Sequence, residues 1–218
     1  MKPLNTYRLI LWDLDGTLYF QKEFRKKMAL VLLQELCLKP HKWKELLVIL
    51  KYRSLREHWE KEDTGADLEQ RQYEKTGEAF GMEAKKVEKI IHYWMHQKPL
   101  EYLYQYRDEN AVKIIQRLQK EEKMVTVYSD YPTKEKLEAL QIYVKESFSS
   151  LDKNINSMKP NPKGLNYIIQ KYGVKKDEVL MIGDRMEKDG EAALAAGVDY
   201  WILDRDRRKR QEQYRDVI

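Results

Sequence analysis

The stretch Leu9-Ile10-Leu11-Trp12-Asp13-Leu14-Asp15-Gly16-Thr17-Leu18 constrains the chain most, because a strand apolar enough to be buried ends there in two carboxylates one residue apart. A short apolar run closed by a turn residue suits a strand covered on both faces. In an extended segment residues i and i+2 point the same way. Asp13 and Asp15 therefore lean together unless the chain bends at once, which Gly16 permits. Neighbouring carboxylates repel, so their proton affinities separate, one staying ionised and the other holding a proton near neutral pH. That division of labour suits a nucleophile and a general acid.

Three later segments also bring polar groups to the end of an ordered run. Lys123-Met124-Val125-Thr126-Val127-Tyr128-Ser129-Asp130 is a short apolar strand whose C-terminal end offers Ser129 as a hydrogen-bond donor. In Met158-Lys159-Pro160-Asn161-Pro162 the prolines predict a lysine held extended, ahead of a helix that Pro162 can start. Val179-Leu180-Met181-Ile182-Gly183-Asp184-Arg185-Met186-Glu187-Lys188-Asp189 is a second buried run, ending in a turn glycine and then in carboxylates at 184 and 189.

Taken in order, these segments resemble the four motifs of the haloacid dehalogenase-like (HAD) hydrolase superfamily: DxD followed by GT, a Ser or Thr, a Lys, and GD with a further acid. The resemblance is to the C1-capped phosphatase branch, which includes phosphoglycolate phosphatase and β-phosphoglucomutase-like proteins. It implies that Asp13 is the nucleophile taking a phosphoryl group and that Asp15 protonates the leaving oxygen. Ser129 and Lys159 would hold the phosphoryl oxygens, with Gly16, Thr17 and Asp130 beside the substrate. Mg2+ would be bound by the Asp13 carboxylate, the Asp15 carbonyl and Asp184, with Asp189 acting through water or by orienting Lys159. The chemistry is consistent with these residue types in itself. Magnesium prefers oxygen ligands and keeps several waters, and a carboxylate can attack a phosphate only if cations and donors offset the repulsion.

Between Asp13 and Ser129 the chain is far longer than the ~30 residues of a strand–helix–strand unit, leaving an insert of roughly 80 residues. Its apolar residues recur with helical period: Phe24, Met28, Val31, Leu32 and Leu36; then Trp43, Leu46, Leu47, Leu50, Leu55 and Trp59; then Val87, Ile90, Ile91 and Trp94. Such an insert after the first strand corresponds to the all-helical C1 cap of the family, a domain that closes over the active site. Elsewhere, helical patterns at 109–121, 132–143, 162–172 and 188–196 alternate with strands at 123–128, 146–149, 179–183 and 199–203, with Gly173 and Gly197 as helix C-caps. The expected fold is α/β, a Rossmann-like doubly wound parallel sheet, formed by 1–19 and 101–218, with 20–100 as the helical cap domain. In such sheets active groups gather at the carboxyl ends of the strands.

The single cysteine, Cys37, excludes an intramolecular disulfide and fits a reducing compartment, and Leu36-Cys37-Leu38 predicts that it is buried. Residues 1–8 are polar and no run approaches the ~18 apolar residues of a membrane span, so a cytoplasmic protein with no membrane partner is expected. The net charge is +5. The basic run Arg205-Asp206-Arg207-Arg208-Lys209-Arg210 has interleaved acids and no nucleic-acid motif, so a solvated tail is expected rather than an RNA site, and Asp204-Arg205-Asp206 reads as a solvated strand end. His92 and His96 lie four apart on a helix but outside any zinc signature, and are expected to be half-exposed.

Asp15 also discriminates among reactions. By resemblance, dehalogenases, transport ATPases and phosphonate-cleaving members have another residue at this position, so Asp15 points to a phosphatase or a phosphomutase acting on a small phosphorylated metabolite. A mutase needs a second phosphate site, for which Lys51, Arg53 and Arg56 are candidates, although such a helix is more often simply amphipathic. A hydrolase is therefore the expectation, with a non-catalytic HAD-like binding module as the rival of another class. The substrate and the oligomeric state stay open.

Overall fold

The computed structural model describes residues 2–57, 67–215 and 217. The chain forms two compact units, one from residues 1–22 and 103–218 and the other from 23–102.

The first unit is built on a five-stranded sheet of β1 (Leu9–Trp12), β2 (Met124–Ser129), β3 (Ser147–Ser149), β4 (Val179–Gly183) and β5 (Asp199–Ile202), in the order β3-β2-β1-β4-β5. Every pairing is parallel. The central strands β1 and β4 are buried along their whole length, as expected of unbroken apolar runs in a parallel sheet. The edge strands are short, and β5 is half-buried throughout.

The helices, in chain order, are α1 (Gln21–Leu38), α2 (Trp43–Glu57), α3 (Leu68–Glu78), α4 (Ala84–Ile91), α5 (Leu100–Leu103), α6 (Glu109–Lys120), α7 (Lys134–Ala139), α8 (Lys163–Tyr172), α9 (Glu191–Ala196) and α10 (Arg207–Arg215). Leu9 and Leu11 of β1 face a core with Val179 and Met181 of β4 and with Leu165, Ile168, Ala192 and Ala196 of α8 and α9. Strand period sends Ile10 and Trp12 to the opposite face, where they are fully buried, and α6 packs on the sheet against β2. Because all strands run the same way, Asp13, Ser129 and Asp184 emerge at one edge. The Asp13 N–H extends the ladder to the Ile182 carbonyl at 2.7 Å.

Some elements differ from expectation. The helix read at 132–143 spans only Lys134–Ala139; Gln141 takes a positive φ of 54° and Arg107 Nη1 donates to the Leu140 carbonyl at 3.0 Å, closing the end. The pattern at 188–196 divides into a π-helical turn, Met186–Gly190, followed by α9. Gly173 and Gly197 both adopt the left-handed conformation as C-caps. Lys159 lies in a turn rather than an extended segment, because the Asn161 N–H bonds to the Met158 carbonyl at 3.0 Å across a cis Lys159–Pro160 peptide. Cys37 is exposed, since Leu36 occupies the inward position of α1.

The second unit is helical. Its core joins Val48, Ile49 and Tyr52 of α2, Tyr73 of α3, Val87 and Ile91 of α4, and Trp94 in the π-helical turn His92–Gln97 that continues α4. α3 carries no apolar period of its own; Asp67 starts it by accepting from the Glu69 and Gln70 N–H groups at 3.1 and 3.2 Å. Trp59, expected on the second apolar pattern, lies outside the described residues. Lys51, Arg53 and Arg56 do not make a common cationic face: Lys51 is exposed, whereas Arg56 is buried and donates to Gln72 and Tyr52 within the unit. His96 is buried and His92 is exposed. Among the described residues no helix is long and apolar enough to cross a membrane.

Candidate active site

The tip of β1 turns at residues 15–18, placing Asp13 and Thr17 inside the protein. Thr17 Oγ1 donates to Asp13 Oδ2 at 3.1 Å, and Lys159 Nζ donates to Asp13 Oδ1 at 2.6 Å. The same ammonium donates to Asp189 Oδ1 at 2.6 Å. Burial pulls Lys159 toward neutrality, but Asp13 and Asp189 more than offset it, so the ammonium stays charged.

Both glycines of the site are there for close approach. At Gly16, with φ of 100°, an added Cβ would lie 2.6 Å from Asp184 Oδ2; at Gly183 it would lie 2.3 Å from Asp189 Cγ. Asp184 and Asp189 therefore occupy space that any side chain at these positions would take. Asp189 is held further by its Oδ2, which accepts from the Arg185 N–H at 3.1 Å.

Asp13, Asp184 and Asp189 are buried, and each offers a carboxylate oxygen within 4.8 Å of the others. Burial lifts the proton affinity of Asp13; Lys159 opposes this, and Asp189, Asp184 and Asp15 add to it. Asp184 is also raised, by burial and then by Asp189, against Arg205. Asp184 Oδ1 is buried with no hydrogen-bond partner among the described residues. Clustered carboxylates that repel, one with an orphaned oxygen, are a donor set compatible with a hard divalent cation. His92 and His96 are not part of this group.

The expected split of proton affinities takes an unexpected direction. Burial alone would raise Asp15, but the Lys136 ammonium, with hydrogen bonds from Lys136, Tyr19 and Ser129, holds it below the ordinary carboxylate range. The distances are 2.5 Å from Lys136 Nζ and from Tyr19 Oη to Oδ1, and 3.0 Å from Ser129 Oγ to Oδ2. Asp15 is therefore held ionised, and Ser129 directs its proton at it. Asp130 turns to the lysine loop instead of standing open beside Ser129: its Oδ1 accepts from the Lys159 N–H at 3.0 Å and from Ser150 Oγ at 2.7 Å. Lys188 Nζ holds the same turn from the other side through the Lys159 carbonyl at 3.0 Å.

A model of the haloacid dehalogenase-like hydrolases matches residues 7–197. The chain belongs to this family. Among solved structures, this HAD hydrolase is similar to the HAD-hydrolase YfnB of Bacillus subtilis, described bound to magnesium, at 16% identity and a TM-score of 0.64 over 97% of this chain and 98% of that one. It is similar to a 2-haloacid dehalogenase of Pseudomonas syringae at 16% identity and a TM-score of 0.63, over 90% and 86% of the two chains. It is also similar to a protein of Clostridium difficile described as a phosphatase, at 25% identity and a TM-score of 0.52 over 90% and 85%. No curated protein matches the sequence.

Residues to which the sequence assigned no role at the site also border it. Lys136 and Tyr19 bind Asp15. Arg205 Nε donates to Asp184 Oδ2 at 3.0 Å, so Asp204-Arg205-Asp206 is more than a solvated strand end; Asp206 caps α10 through the Arg208 and Lys209 N–H groups at 3.0 and 3.2 Å. Arg210, expected in a solvated tail, is 1% exposed. Its guanidinium donates to the carbonyls of Gly16 at 2.8 Å and Thr17 at 3.2 Å. Only the aspartate cap before α10 carries a local signal.

Proposed function

We propose that this HAD hydrolase is a magnesium-dependent phosphatase that cleaves a small phosphate monoester through a covalent aspartyl phosphate on Asp13. The observation that carries this reading is Asp15, a second carboxylate on the same strand tip with its own cation and donors. A departing halide needs no proton, whereas an alkoxide does.

Asp13 is poised by Thr17 and Lys159, which fix its two oxygens. An Asp13 oxygen attacks phosphorus as the ester oxygen departs, and Asp15, which takes up a proton from solvent as the charged ester binds, gives that proton to the departing oxygen. The phosphoryl group brings about two negative charges beside Asp15, and this raises its proton affinity when a proton is needed. Water then attacks the aspartyl phosphate and returns a proton to Asp15, releasing phosphate and the Asp13 carboxylate. Once Asp15 is protonated the Ser129 hydroxyl turns from it to the phosphoryl oxygens, where Lys159 also donates. Magnesium would be held by Asp13, Asp184 and the Asp15 carbonyl, with Asp189 acting through water or by orienting Lys159, and would supply positive charge that offsets repulsion between nucleophile and phosphate.

The helical unit, inserted after β1, is read as the cap that selects the leaving group. Burial of Arg56 removes one member of the cationic trio a mutase would use for a second phosphate, which favours hydrolysis. A single cysteine fits work in the cytoplasm. The test is a panel of phosphate monoesters and 2-haloacids, with and without magnesium, reading phosphate and halide release. Magnesium-dependent phosphate release supports the reading; halide release without phosphate release overturns it.

A further inference from the structure

The family match ends at residue 197, yet the chain beyond it enters the site. Arg210 of α10 is buried and spreads its donors over several acceptors. Nη2 reaches the Gly16 carbonyl at 2.8 Å, Nη1 the Thr17 carbonyl at 3.2 Å and Asp108 Oδ2 at 3.5 Å, and Nε the Asp204 carbonyl at 2.7 Å. A planar guanidinium can serve such a spread of carbonyls from one fixed position, which a lysine ammonium cannot.

The charge is balanced inside the same unit. Asp108 accepts from Tyr214 Oη at 3.1 Å as well, and its N–H donates to the Leu18 carbonyl at 2.9 Å. The turn after Asp13 and Asp15 is thus fastened by carbonyls at 16, 17 and 18, two of them through α10. Arg205, just before α10, adds the bond to Asp184, whose carboxylate lies against Gly16.

We propose that the segment 204–215 is a positioning element of the active site, with Arg210 fixing the turn that carries the reacting carboxylates and Arg205 fixing Asp184. The catalytic side of this proposal rests on the reading of Asp13 and Asp15 as nucleophile and acid; its structural side does not. Arg210 touches no reacting atom and acts through the turn.

The experiment compares wild type with Arg210→Lys and Arg210→Met by amide hydrogen exchange and by steady-state kinetics on p-nitrophenyl phosphate. Both are measured well below each variant's melting midpoint. The Thr17 and Leu18 N–H groups, which bond to the Leu14 carbonyl at 3.3 and 3.0 Å, report the turn. Loss of charge-assisted bonds to the turn is expected to speed their exchange roughly tenfold or more. It is also expected to lower kcat with little change in KM. Arg210→Lys keeps the charge, so it decides the matter even if Arg210→Met does not fold. Unchanged exchange at Thr17 and Leu18 in a folded variant would overturn the proposal and leave α10 as packing alone. If wild type releases no phosphate, the phosphatase reading fails while exchange still judges the positioning role.

Discussion

Asp15 has a lysine, a tyrosine and a serine on its two oxygens, and this company decides its chemistry. An isolated pair of carboxylates would share one proton, but Lys136 settles the competition by holding Asp15 ionised. Asp15→Asn, which keeps the shape and the backbone carbonyl, is expected to cost ~10²–10⁴-fold on alkyl phosphates. The loss should be shallower on p-nitrophenyl phosphate, whose leaving group departs as an anion; a uniform loss across a leaving-group series would show that Asp15 only shapes the turn. Lys136→Met removes the cation from Asp15 and is expected to lower turnover while the protein still melts cooperatively; wild-type turnover would make Lys136 a bystander. The placement of Asp13, Asp15, Ser129, Lys159 and Asp184 is legible in the sequence because each lies at the end of an apolar run or just ahead of a pair of prolines. Lys136 and Arg210 are not legible: in a chain with 41 lysines and arginines nothing local marks the buried ones. Their partners Asp15 and Gly16 lie 121 and 194 residues away.

At the scale of elements, the carboxyl end of β4 shows how tightly backbone and site are joined. β4 ends in Gly183, and the π-helical turn that follows brings Asp189 back over it. An α-helical start at 188, as the apolar period suggests, does not include this turn; its extra width at 186–190 is set by tertiary bonds such as Asp189 to Lys159, which no helical pattern encodes. Gly183→Ala puts a methyl 2.3 Å from Asp189 Cγ, an overpacking expected to cost about 1–3 kcal/mol and to push Asp189 off Lys159. Chemical denaturation and turnover measured together check this. Full activity with unchanged stability would mean the turn has slack. The strands and most helices are legible from their periodicity, whereas α3 is not, because Leu68 and Tyr73 are its buried apolar residues and the rest of its inward side is Gln72, Thr76 and Gly77.

At the scale of the whole molecule, a parallel sheet gathers groups from distant parts of the chain at one edge, and the price is a cluster of buried acids. Asp13, Asp184 and Asp189 repel one another within 4.8 Å, so a divalent cation should stabilise the folded state by mass action. At a concentration one hundred times its Kd that is about 2.7 kcal/mol, or roughly 5–10 °C in Tm for a chain of this size. Asp184→Ala is expected to lose most of that rise; an equal magnesium-induced shift in wild type and Asp184→Ala would place the cation elsewhere. Whether Asp13 carries the phosphoryl group is decided by a single turnover. The enzyme is mixed with a radiolabelled aryl phosphate and magnesium, quenched in acid within the first turnover, digested and mapped by mass spectrometry. Label is expected on the peptide containing Asp13 in wild type and none in Asp13→Asn, whereas phosphate release with no label on the protein, or label persisting in Asp13→Asn, would mean that Asp13 is not the nucleophile.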